Sequence, residues 1–109
     1  MTRSPVTYRM RLERLIRYVR RPDGRGSAHA CALGVFEQVV GYLEDHPDGA
    51  TPQAVWRALA LPRRQVRVAL GFLVARGLLA RRGRRLYPRS CCLEQRAREQ
   101  FCLLALTGR

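Results

Sequence analysis

Apolar residues recur at helical spacing along most of this chain. Leu12, Leu15, Ile16 and Val19 fall on one helix face, while Arg9, Arg14, Arg17 and Arg20 fall on the other. That spacing predicts an amphipathic helix over residues 5–21. Pro22-Asp23-Gly24-Arg25-Gly26-Ser27 then breaks the pattern with turn residues and is the only linker-like stretch. A second helix is expected from residue 27 or 28 to residue 45, with Ala32, Val35, Phe36, Val39, Val40 and Leu43 inward and Pro47-Asp48-Gly49 ending it. Thr51 followed by Pro52 is a specific helix start, an N-cap hydroxyl with proline at the first helical position. This short third helix buries Val55, Trp56 and Leu59 before Leu61-Pro62 interrupts it. A fourth helix is expected over residues 63–76, with Val66, Ala69, Leu70 and Leu73 inward and Gly77 as a left-handed C-terminal cap. Residues 78–82 and 84–87 read as two short strands around Gly83, with Leu79 and Leu86 inward and the arginines outward. A fifth helix over residues 91–106 carries Leu93, Ala97, Phe101, Leu104 and Ala105.

These elements describe a mainly α chain with a small β-hairpin. Three parts are expected: an N-terminal amphipathic helix and linker (1–26), a central domain (27–89) and a C-terminal helix (90–109). The length, 109 residues, suits one domain, and 47% hydrophobic residues allow a real core. No apolar run approaches the ~20 residues that span a bilayer. No secretory leader pattern is present. The first twenty residues are Arg-rich and almost acid-free, the composition of a mitochondrial presequence. They also read as an ordinary amphipathic helix, and the cytoplasm is the expected compartment.

Charge changes the picture. The net charge is +13, from 21 basic and 8 acidic residues, and every basic residue is arginine. GC-rich codon drift produces such a bias on its own, but the physical effect stands whatever its origin. Arginine is always charged, and its planar fork pairs bidentately with phosphate or a guanine edge. A domain this basic is drawn to polyanions. Membrane surfaces are anionic too, so charge alone does not select nucleic acid.

The run TPQAVWRALALPRRQVRVALGFLVARGLLARRGRRLYP, residues 51–88, gives charge an arrangement. A short helix, a tight break, an arginine-rich helix, a glycine stop and a hairpin tipped by Arg81-Arg82-Gly83-Arg84-Arg85 follow in order. Over about residues 33–88 this resembles bacterial winged helix-turn-helix regulators of the ArsR or MarR kind. The matching pattern is one of residue types, Val66, Ala69, Leu70 and Leu73 at helical spacing and then Gly77-Leu78, and is far less specific than a catalytic signature. The resemblance implies a winged helix-turn-helix flanked by N- and C-terminal helices, with those flanks forming a twofold dimer. It places Arg63, Arg64, Gln65, Arg67 and Val68 at base edges in the major groove, with Gly71 outward for close backbone approach. Thr51 and Gln53 would hold a phosphate at a helix N-terminus, with Arg57 one turn on. Arg81, Arg82, Arg84 and Arg85 would grip phosphates or enter the minor groove. The blander reading of every charge run is a solvated face, and for Trp56 it is core packing. The family's clustered cysteine motif is missing from the third helix, where residues 54–60 stand, which puts metal sensing by that site in doubt.

Cys31, Cys91, Cys92 and Cys102, with His29 two residues before Cys31, leave three readings open. They are buried structural thiols, a redox or iron–sulfur sensor, or a zinc site with His29 as substitute ligand. The spacing fits no CxxC zinc module. On one straight helix Cys91 and Cys102 sit about 16 Å apart along the axis, too far to share a metal within one chain. Across an antiparallel dimer they can meet; alternatively the helix begins after Cys92, and a loop brings the Cys91–Cys92 pair toward Cys31. Nothing points to an enzyme: no paired carboxylates, phosphate-cradling glycine loop or nucleophile elbow occurs. The expected function is therefore a sequence-specific, homodimeric DNA-binding regulator, a repressor at an inverted repeat. The alternative is a winged interaction module with only non-specific nucleic-acid affinity.

Overall fold

The structure, a computed structural model, describes residues 6–11, 14–89 and 92–107. It begins with three strands, β1 (Val6–Arg11), β2 (Arg14–Arg20) and β3 (Gly26–Ala32), paired antiparallel in the order β1-β2-β3. Helices α1 (Leu33–Glu44), α2 (Pro52–Leu59) and α3 (Arg63–Ala75) follow. A hairpin of β4 (Leu79–Arg82) and β5 (Arg85–Pro88) leads to α4 (Leu93–Thr107).

The expected mainly α architecture is thereby corrected. The described residues form four helices and two antiparallel sheets, and the expected N-terminal flanking helix is a strand pair. The reason lies in a degeneracy of period. Residues four apart share a face in a helix and in a strand alike, so Leu15 and Val19 fit both. Ile16 distinguishes them: a helix puts it beside Leu15, whereas the strand turns it to the opposite face. Val6, Tyr8 and Met10 alternate with Thr7, Arg9 and Arg11, which is period two, and β-branched and aromatic residues favour the pleated surface. The Pro22-Asp23-Gly24 stretch is a hairpin turn. Arg21 N–H donates to Arg25 O at 2.8 Å, and Arg25 N–H donates to the Asp23 carboxylate at 3.0 Å. The second helix consequently starts at Leu33, because residues 26–32 are the third strand.

The remaining elements lie close to their expected positions. Thr51 caps α2, its Oγ1 accepting from Ala54 N–H at 3.1 Å. Gly77 closes α3 at φ +74°, and Leu78 N–H reaches back to Leu73 O at 2.9 Å. This is the left-handed cap in which glycine avoids a Cβ clash. The hairpin is tied to the α1–α2 connection by paired 2.9 Å hydrogen bonds between Ala50 and Leu86.

One hydrophobic cluster runs through all three expected parts of the chain. It joins Leu15 and Cys31 of the sheet, Phe36 and Leu43 of α1, Val66 and Phe72 of α3, Leu86 of the hairpin, and Leu93 and Phe101 of α4. Phe72 is its hinge point. Its ring stands edge-on to Tyr8 at 5.4 Å and to Phe36 at 5.8 Å, so β1, α3 and α1 share one aromatic contact chain. No described helix is long and apolar enough to cross a membrane.

Candidate nucleic-acid interface

Charge is segregated along the chain before it is segregated in space. Between Gly49 and Leu93 there is no aspartate or glutamate. Every arginine in that span is exposed: Arg57, Arg63, Arg64, Arg67, Arg76, Arg81, Arg82, Arg84, Arg85 and Arg89. The described acids lie elsewhere: Asp23 in the β2–β3 turn, and Glu37, Glu44, Asp45, Asp48, Glu94 and Glu99 on α1, the turn after it, and α4. The molecule therefore carries a basic side built from α2, α3 and the hairpin.

On α3 the structure separates the predicted contact residues. Arg63, Arg64 and Arg67 are exposed on its first two turns. Val68 is 1% exposed, contrary to its expected place at a base edge. The cause is the N-terminal sheet: β2 and β3 pack against α3, and Val68 lies beside Arg17 and His29 at that seam. Gly71 is likewise not open to a DNA backbone: a Cβ there would lie 2.6 Å from Tyr8 Oη. Gln65 turns inward, its Oε1 accepting from Ala32 N–H at 3.0 Å, and so fastens α3 to the β3–α1 junction. Only the N-terminal part of α3 presents arginine.

Trp56 does more than pack. The guanidinium of Arg63 lies 5.5 Å from its ring centre and that of Arg67 lies 5.7 Å away. Such cation–π contacts hold long, flexible side chains in place. Thr51 is occupied with capping, while Gln53 and Arg57 are exposed one turn apart on α2. In the hairpin Arg82 faces Arg85 across the strands, and Arg82 also lies over the Tyr87 ring at 5.6 Å. Like charges directly opposite repel, which splays these side chains into solvent.

A cleft of about 300 Å³ opens between the sheet and the start of α3, lined by Arg17, His29, Arg63, Arg64, Arg67 and Val68. Arg17 and His29 are direct cross-strand partners. Arg17 also faces Tyr8 across β1 and β2. Burial raises the Tyr8 phenol above its ordinary pKa, against the lowering effect of the Arg17 charge. Arg17 Nε is buried with no hydrogen-bond partner. The helical spacing of residues 5–21 puts Arg17 on a solvated face, apart from α3. The period-two signal in residues 6–11 was the available clue.

The described cysteines form no metal-binding group. Cys31 is fully buried in the core, where burial pushes its thiol up to about 12, and Cys92 and Cys102 are exposed. Cys91 lies outside the described residues. Among the described residues no three His, Cys, Asp or Glu side chains are grouped to hold a metal ion. His29 lines the arginine cleft.

No family model matches the chain, and no curated protein or solved structure is significantly similar to it.

Proposed function

We propose that this chain is a cytoplasmic DNA-binding domain that engages duplex DNA through the first turns of α3, the exposed face of α2 and the hairpin. One observation carries the reading: an acid-free span whose arginines are all exposed, on two helices and a hairpin that succeed one another in the fold. Arg63, Arg64 and Arg67 meet the duplex at the groove, at base edges or the flanking phosphates, because arginine's fork matches the two acceptors of guanine and a phosphate alike. Arg57, Arg81, Arg82, Arg84 and Arg85 neutralise phosphates and set the salt dependence. With Val68 and Gly71 covered, α3 enters the groove by its N-terminal end and not along its length. The proposed regulator acts as a homodimer. Support comes from α4, where Leu103 and Leu106 are 52% and 84% exposed, an apolar edge suited to a partner copy.

Fluorescence anisotropy against the DNA upstream of its own gene and a scrambled duplex, near physiological salt, tests the proposal. A regulator shows a specificity ratio of about a thousandfold or more. Equal, weak binding that is lost steeply with salt supports the second reading, a protein-interaction module. The sheet lying against α3 and the exposed leucines of α4 favour that alternative.

A further inference from the structure

The cleft between the sheet and α3 is built differently from the rest of the basic surface. Its walls come from two parts of the chain distant in sequence: Arg17 and His29 from the β2–β3 pair, and Arg63, Arg64 and Arg67 from α3. Among the described residues no carboxylate lines it. The first turn of α3 contains no acidic residue, and Pro62 supplies no side-chain cap. The partial positive charge of that helix end therefore adds to the guanidinium charges. Two of the arginines, Arg63 and Arg67, also rest over the Trp56 ring. Arg17 also belongs to this lining, and its Nε–H is buried with no acceptor among the described residues. Buried polar groups are nearly always paired, and a charged donor most of all. An anion seated in the cleft relieves repulsion among the four guanidinium groups that line it.

We infer that this cleft is a phosphate-binding site, with Arg17, Arg63, Arg64 and Arg67 as its donors. A phosphate group suits it better than a single carboxylate does. Its oxygens accept from several guanidinium forks at once, and its higher charge balances more of the arginines. The volume, about 300 Å³, lies at the small end of ligand pockets, about 300–1,000 Å³. The phosphate belongs either to a free phosphorylated small molecule or to the duplex backbone. The second source rests on the DNA reading and the first does not.

Pyrophosphate is the probe for the free source. Calorimetry near physiological ionic strength should show saturable binding at about one per chain. Arg17→Met should weaken it about tenfold or more, the scale of one charge-assisted hydrogen bond. The hairpin double variant Arg81→Ala/Arg84→Ala should leave it within about twofold, because those exposed charges are screened. Circular dichroism checks folding, and Arg64→Ala, at an exposed position, carries the same test if Arg17→Met does not fold. Anisotropy with a labelled duplex reads the other source. Loss of duplex affinity in Arg17→Met and Arg64→Ala, without pyrophosphate binding, assigns the phosphate to the backbone. Pyrophosphate binding without duplex binding keeps the cleft and overturns the DNA reading. The cleft assignment falls if neither ligand responds to Arg17→Met or Arg64→Ala, or if the hairpin variant loses pyrophosphate as fully as they do.

Discussion

The cleft and the hairpin each gather four arginines, yet they are different electrostatic objects. Arg81, Arg82, Arg84 and Arg85 stand within five consecutive residues on a convex tip, exposed on every side. Arg17, Arg63, Arg64 and Arg67 meet only because a sheet docks on a helix. A convex charge cluster is screened within a Debye length of about 8 Å at physiological salt. A concave one lined by charge of a single sign concentrates its field on whatever enters it. Local charge density therefore says little about where an anion is held; the shape of the surface beneath it decides.

The largest test of that contrast removes the docking itself. Phe72→Ala should cost about 3–5 kcal/mol in urea unfolding, because the ring is fully buried between Tyr8 and Phe36. Gly71→Val is gentler. The added side chain meets Tyr8 Oη, and overpacking of this kind costs about 1–3 kcal/mol. It should displace β1 from α3 and weaken pyrophosphate binding while leaving the hairpin's contribution to duplex affinity intact. Trp56→Leu removes the platform beneath Arg63 and Arg67, so duplex affinity should fall by about 0.5–1 kcal/mol for each of the two guanidinium groups released. The smallest structural effect belongs to Arg81→Ala/Arg84→Ala, whose stability should stay within about 0.5 kcal/mol of the parent. Its signature is in the salt titration: the slope of log K against log salt should flatten by about 0.9 for every phosphate no longer neutralised, for specific and scrambled duplexes alike. A hairpin variant that alters sequence preference, with Arg64→Ala leaving it unchanged, reverses the assigned roles.

The two regions also differ in how far the chain betrays them. Hairpin, glycine stop and helix start are local events, carried by Gly83, Gly77 and Thr51-Pro52, and local chemistry is readable residue by residue. The cleft depends on a sheet whose strands carry an ambiguous period. Leu15 and Val19 satisfy either reading, and only Ile16 and the alternation from Val6 to Arg11 separate them. Once residues 6–20 are taken as helix, Arg17 belongs to a solvated face and Val68 and Gly71 have nothing to cover them. Both consequences follow from one misread period. Gln65 is a different matter. Its hydrogen bond to Ala32 spans distant segments, and no spacing rule encodes it.

Cys31 gives the sheet a built-in clock. Its side chain is fully enclosed at the end of β3, while Cys92 and Cys102 face solvent. Alkylation followed by mass spectrometry should therefore add labels in two stages. The late one waits on β3 lifting from the core, and its rate measures the free energy of that opening. A phosphate ligand that bridges β2 to α3 holds the sheet down, so it should lengthen the delay in proportion to its occupancy. The same thiol that reads as inert packing thus reports, from outside the cleft, whether the cleft is filled.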